Sequence, residues 1–231
     1  MKRFMNRNQL KYLVILAMVV DHVAWAFVPT RSLPGQLMHT FGRLTGPTMA
    51  FFLAEGYHYT RSVPHYARRL GLFALLSWVP YSLFETGTWP SAQFGVIYTL
   101  LLGLLAIWFW DKSRCHRIVK LLVVFALCWL SQYGDWPVFD VLFPLIFFLY
   151  RDNPKHMWLG FCLISLFFTV FPILLVGWEQ AFQFGVFLVP PLIHFCYSGQ
   201  SGSRHPFHKW FFYVFYPAHL LLLFLLKAAL G

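Results

Sequence analysis

Polar residues along this chain gather in short clusters that separate long apolar blocks. The block LKYLVILAMVVDHVAWAF, residues 10 to 27, is long enough for a helix to cross a bilayer, which takes about 20 residues. Eight further blocks follow, roughly 37 to 57, 66 to 84, 94 to 110, 117 to 132, 136 to 150, 157 to 176, 180 to 197 and 209 to 227. The pattern predicts an all-α polytopic membrane bundle of about nine helices, a single transmembrane domain over 1–231. The turn QYGDWP between the fifth and sixth blocks is the weakest boundary. The polar stretch YSGQSGSRHPFHK, 197 to 209, reads as a flexible cytoplasmic loop.

Composition agrees with the pattern. Of the 231 residues 59% are hydrophobic and 11% charged, less than half the charge of an ordinary soluble domain, and the 27 Phe suit lipid-facing surfaces and interfacial belts. The net charge of +10 is no sign of nucleic acid, because the basic residues fall in short runs between apolar blocks. With the N-terminus inside, the nine-span order places 15 of the 18 basic residues on the cytoplasmic side. These are Lys2, Arg3, Arg7, Lys11, Arg61, Arg68, Arg69, Lys112, Arg114, Arg117, Lys120, Arg151, Lys155, Arg204 and Lys209. Arg31 and Lys227 fall outside and Arg43 within a span, while Glu85, Asp135 and Glu179 fall in outer loops. The expected topology is therefore N-terminus cytoplasmic and C-terminus periplasmic, in a bacterial inner membrane. The leader MKRFMNRNQLK followed by an apolar run and AWA has the outline of a secretory signal. The Asp21–His22 interruption and the many later spans favour a retained anchor. Cys115, Cys128, Cys162 and Cys196 lack any metal-ligand or CxxC spacing and read as reduced, structural thiols, with no metal.

An ionised side chain inside a span costs about 2.5 to 3.5 kcal/mol on insertion scales, so it is there for a partner or a task. Asp21 lies about seven residues below the outer surface on the first span and Arg43 about six on the second, so the two match in depth; Lys11 and Glu55 match likewise at the inner boundary. Lys11 and His22 are about 16 Å apart along a helix and only about 20° apart around it. Neighbours such as Asp21 and His22 point to different faces, so Asp21 is not expected to orient His22 directly. A neutral His22 held by another acceptor has the chemistry of a general base. Gly42, Gly46 and Pro47 permit a close approach and a local break beside Arg43. His219 on the last span, just after Pro217, falls within a turn or so of the depth of His22. Pro190, Pro191, His194, Asp140, Pro144, Tyr57 and His58 are lesser candidates for polar lining. For each of these the plain alternative is a salt bridge, a kink or a packing residue. No hydrolase elbow, zincin, P-loop or dinucleotide fingerprint is present.

Three segments together resemble the TraX family of membrane proteins, named for acetylation of conjugative pilin. They are LKYLVILAMVVDHVAWAF, GRLTGPTMAFFLAEGYHYTRS with the following YARRLGLFALLSWVPYSLF, and FFYVFYPAHLLLLFLL. More distantly, Lys11 with His22 is similar to the Arg/Lys-(ten residues)-His pattern of bacterial membrane acyltransferases. FFLAEGYHYT looks like their FF-x-x-SGY segment, with Glu55 where those enzymes carry Ser. The resemblance implies acetyl coenzyme A as the donor substrate, met by Lys11, Glu55, Arg61 and Arg68. It also implies a catalytic group of His22, Asp21, Arg43 and His219, and an acceptor amine or hydroxyl on a pilin or other envelope component. Membrane lipids are the remaining expected partner. Two other readings stay open: a proton-coupled transporter using Asp21, His22, Arg43 and His219 as a relay, and a non-catalytic envelope assembly factor.

Overall fold

A computed structural model describes residues 4–230; Lys2 and Arg3, expected to be cytoplasmic, lie outside the described residues. In chain order the helices are α1 (Arg7–Phe27), α2 (Leu33–Gly42), α3 (Thr45–Tyr59), α4 (Val63–Thr86), α5 (Val96–Lys112), α6 (Arg117–Leu130), α7 (Phe139–Leu149), α8 (Pro154–Val176), the single turn α9 (Val189–Pro191) and α10 (Pro206–Leu230). Among the described residues there is no strand, only two isolated parallel bridges, Met5 with Tyr197 and Phe94 with Gly134. The chain divides into two compact units, Met1–Met49 with Cys162–Gly231, and Ala50–Phe161.

Local chemistry sets the helix ends. Asn6 and Gln9 form a reciprocal capping box at the start of α1, each side chain accepting from the other's backbone N–H, at 3.0 and 2.9 Å. The Ser32 hydroxyl caps α2 through Gly35 N–H at 3.1 Å, and Pro34 in the first turn needs no donor there. Gly87, at φ 71°, ends α4 in the left-handed conformation that glycine adopts without steric cost.

Among the described residues three helices, α1, α8 and α10, are long and apolar enough to cross a membrane. At 1.5 Å per residue the 23 residues of α8 reach about 35 Å. The third and fourth expected spans are the continuous helices α4 and α5, and others take different forms. The second block is two helices, α2 and α3, broken at Arg43 and Leu44. The eighth is no regular helix: Trp178–Leu188 forms consecutive 3-10 turns, then α9, then a π-helical turn over Leu192–Cys196. The adjacent Pro190 and Pro191 remove two N–H donors, so an uninterrupted α ladder is unavailable there. The fifth and sixth blocks are separate short helices, α6 with 14 residues and α7 with 11.

In the first unit α1 packs against both α2 and α10, and α2 against the 3-10 segment. Gln36 joins the last two, accepting from Phe182 N–H at 3.1 Å and donating to the Glu179 carbonyl at 2.8 Å. Tyr12 of α1 reaches α10, its hydroxyl 2.8 Å from His208 Nδ1 and its ring against Phe211 and Phe212. The stretch read as a loop from 197 to 209 pairs with the chain start, Ser198 N–H donating to the Met5 carbonyl at 2.8 Å, and its last four residues are already α10. In the second unit α5 packs on α4, α6 and α7. Gly103 allows the α5 to α7 approach, since a Cβ there would collide with the Asp140 carbonyl.

Candidate functional site

Four elements of the first unit bring together six buried polar side chains. Asp21 and His22 come from α1, His39 from the last turns of α2, Arg43 from the break after it, Gln183 from the 3-10 segment and His219 from α10. The break is built locally: Arg43 N–H returns to the His39 carbonyl at 3.1 Å and Leu44 N–H to Phe41 at 3.2 Å, a tight turn that closes α2. α3 restarts with Pro47 in its first turn, where no donor is needed. Gly42 is required here. A Cβ would overlap the Asp21 side chain, whose Oδ1 lies 2.7 Å from that point.

Asp21 is held from two sides. Oδ2 accepts from Arg43 Nη2 at 2.6 Å and Oδ1 from His39 Nδ1 at 2.7 Å, with all three side chains buried. The depth match of Asp21 with Arg43 is thus a direct ion pair, and the i, i+1 argument holds: Asp21 bonds these two, while His22 bonds elsewhere. Arg43 also approaches Gln183 Oε1 at 3.4 Å, and its guanidinium lies 5.3 Å from the Phe182 ring centre. His39 is completely buried, its ring between Trp25 at 4.1 Å and Phe182 at 5.0 Å. Its Nε2 makes no hydrogen bond among the described residues.

His22 and His219 meet, as their similar depths suggested, at 2.9 Å between His22 Nδ1 and His219 Nε2. His219 Nδ1 lies 3.0 Å from the Phe215 carbonyl. A carbonyl only accepts, so Nδ1 of His219 carries the proton. With both rings neutral, Nε2 of His219 then accepts from Nδ1–H of His22, and Nε2 is the unprotonated ring nitrogen of His22. The carbonyl used is not the one Pro217 frees: a proline deprives the carbonyl four residues earlier, at Tyr213, whereas His219 bonds Phe215. Asp21, Arg43 and His39 all lie within electrostatic reach of His22, so the two groups form one polar cluster.

The remaining sequence candidates fall outside it. Lys11 lies on α1 with its ammonium 5.1 Å from the Phe212 ring centre. Glu55 does not make the pair expected with Lys11; it is bonded to Arg151, Nε to Oε1 at 3.0 Å. The reason is positional, because α7 ends at Leu149 and delivers Arg151 to the side of α3. Burial pulls the Arg151 pKa down, but the Glu55 carboxylate and Tyr59 hydroxyl beside it more than offset this, and the net shift is upward. Arg61 and Arg68 are exposed in the second unit. Tyr57 donates to Asp111 at 2.7 Å, Asp140 accepts from Thr99 at 3.0 Å, and His194 lies in the π-helical turn with its ring against Phe195. Among the described residues no group of three or more His, Cys, Asp or Glu side chains is placed to share a metal ion.

Two members of the cluster, His39 and Gln183, were not among the sequence candidates. His39 was available: it precedes Arg43 by four, one helical turn, so a partner of Arg43 on one face was a candidate for the same carboxylate. Gln183 gave no signal, because its place depends on an irregular segment 140 residues further on.

A sequence model described as "TraX protein" matches residues 6–227. The chain is 32% identical, over 95% of its length and 97% of the relative's, to the "Probable fimbrial assembly protein FimC, serogroup H1" of Dichelobacter nodosus. No solved structure matches.

Proposed function

The chain belongs to the TraX protein family, and from that premise we propose that it is an inner-membrane acetyltransferase for a pilus- or fimbria-related envelope component. In this reading the membrane carries about nine crossings, N-terminus inside, with α1, α8 and α10 as the long, strongly apolar ones and the other helical segments completing the rest. Acetyl coenzyme A is the donor, approaching from the cytoplasm, and the acceptor is an amine or hydroxyl at the membrane or outer side.

The observation that carries the proposal is the oriented chain from the Phe215 carbonyl through His219 to His22. Acetyl transfer needs a base for the proton of the attacking amine or hydroxyl. Here Nε2 of His22 takes that proton as the nucleophile bonds to the thioester carbonyl carbon. The C–S bond then breaks, and His22 returns the proton to the leaving thiolate, giving the acetylated acceptor and free coenzyme A. His219 fixes the His22 tautomer, the part an orienting group plays beside a catalytic histidine. Asp21 and Arg43 place a balanced ion pair beside the base, so the site carries no net fixed charge from them. Lys11, on the same helix as His22, is the cation offered to the donor's phosphates. Glu55, engaged by Arg151, has no part in this reading.

The test supplies radiolabelled acetyl coenzyme A to membranes with and without the protein and follows label into envelope protein, glycan and lipid. Label that requires the protein and disappears with His22→Ala at equal abundance is the expected result. The name of the fimbrial assembly relative favours a second reading, a non-catalytic assembly factor. It gives the opposite outcome: no labelled product with the unaltered protein, and assembly that survives His22→Ala.

A further inference from the structure

The second unit holds a cavity of about 310 Å³ lined by Phe51, Ala54, Glu55, Phe147, Arg151 and Met157. That is the lower end of the size range of small-molecule sites. Its composition is uneven: four apolar side chains and one ion pair. The Glu55 and Arg151 side chains are 15% and 32% exposed, so the pair is partly desolvated yet reachable. The pair is also incompletely used. Arg151 donates Nε–H to Glu55 Oε1 and an Nη2–H to the Tyr59 hydroxyl at 3.1 Å, two of its five N–H groups. Its further approach, Nη1 to Asp152 at 3.9 Å, is to a fully exposed carboxylate that water screens. Oε2 of Glu55 is outside these bonds. Donors and an anionic acceptor are therefore offered side by side at the wall of an apolar cavity.

The cavity also lies at a definite level. Arg151 precedes by three residues the first residue of α8, a helix of spanning length, which puts it where chain enters the bilayer. Exposed aromatic rings mark the same level: Tyr59, on which the Arg151 guanidinium rests at 5.6 Å, and Tyr150, stacked on His156. Basic pockets between membrane helices at this depth receive lipid head groups. Here the adjacent carboxylate changes the chemistry selected. It opposes a polyanion and leaves no net charge for a simple anion, but it suits a ligand that carries both signs a few ångströms apart.

We propose that this cavity is a head-group site for a zwitterionic aminophospholipid, with phosphate on Arg151, ammonium on Glu55, and the glycerol backbone and first methylenes against Phe51, Ala54, Phe147 and Met157. An ethanolamine head group has N–H donors for Oε2 of Glu55; a choline head group has none, and a glycerol head group has no positive charge. The site goes beyond the transferase reading and does not depend on it.

The full-length protein is reconstituted in nanodiscs of equimolar phosphatidylethanolamine, phosphatidylcholine and phosphatidylglycerol with matched chains, re-extracted in mild detergent, and its retained lipid quantified by mass spectrometry of the intact complex. The unaltered protein retains the ethanolamine lipid about tenfold over each of the others, the selectivity that one charge-assisted hydrogen bond supplies. Glu55→Gln removes the ammonium partner and the negative charge that offsets Arg151, and shifts the preference to phosphatidylglycerol. Ala54→Leu fills the cavity without touching the charges and lowers retention of all three, with thermal unfolding as the control for folding. Equal retention of the three lipids by the unaltered protein overturns the proposal, as does an unchanged lipid order in Glu55→Gln. Displacement of the retained lipid by equimolar soluble O-phosphoethanolamine overturns the assignment to a lipid.

Discussion

The Asp21–Arg43 pair makes a quantitative claim about the first unit. The two groups are joined at 2.6 Å, and their side chains are 10% and 9% exposed, so solvent screens them little. Charge centres in such a bond lie about 4 Å apart, which at an effective dielectric of about 20 corresponds to about 4 kcal/mol. Removal of one partner from a buried pair costs about 3 to 5 kcal/mol by mutational experience, because the other charge is left buried and uncompensated. Asp21→Asn is the clean perturbation: it removes the charge while keeping an oxygen that can still accept from His39. Arg43→Gln removes the opposite charge. Each single change is expected to lower stability by about 3 to 5 kcal/mol, and the double change by clearly less than the sum, with a coupling of about 2 kcal/mol or more. The assay is reversible unfolding in mixed micelles, read by circular dichroism, for the four members of the cycle. Additivity within about 0.5 kcal/mol, or single losses below about 1 kcal/mol, would refute a buried pair at this position and return Asp21 to a solvated environment.

Three further outcomes follow from the same geometry. Gly42→Ala forces a methyl group into the Asp21 side chain and is expected to cost about 1 to 3 kcal/mol, whereas Gly71→Ala on α4, where a Cβ meets only Leu101 at 3.8 Å, is expected to gain up to about 1 kcal/mol of helix propensity; the same unfolding assay compares them. His39→Asn keeps a donor near the Nδ1 position toward Asp21 and is expected to retain most of the stability, while His39→Leu strands an Asp21 oxygen and costs about 1 to 3 kcal/mol. His219→Phe removes the acceptor for the buried His22 Nδ1–H and is expected to cost about 1 to 3 kcal/mol of stability; at equal amounts of folded protein, label transfer from acetyl coenzyme A falls by about two orders of magnitude, the contribution of general-base catalysis, and equal transfer by the two proteins would remove His219 from the mechanism.

Much of the cluster was legible from one-dimensional rules. Asp21, His22, Arg43 and His219 each stood out as a polar group in an apolar block, and the cost of such placement is the same wherever the block packs. Depth along a helix then paired Asp21 with Arg43 and suggested that His22 and His219 converge, since 1.5 Å per residue converts position into height. The same arithmetic failed for Lys11 and Glu55. Height alone does not say which helices are neighbours, and Glu55 has Arg151 beside it from the turn after α7.

What the sequence determined by itself is therefore the solvent and the class of fold: apolar blocks that fold as helices because backbone groups in lipid must be satisfied within the segment. It also marked Gly42 to Pro47 and Pro190–Pro191 as places where a helix can break, because the absence of a Cβ or of an N–H is a property of the residue alone; that Pro80, Pro144, Pro172 and Pro217 stay inside continuous helices was decided by the fold. Only the tertiary structure decided who shares a hydrogen bond. His39 took the second oxygen of Asp21, Gln183 approached Arg43 from a 3-10 segment, and His219 offered Nε2 to His22 because its own Nδ1 had found the Phe215 carbonyl. Such choices turn on distances of a few tenths of an ångström between helices far apart in sequence, and no pattern along a single chain encodes them directly.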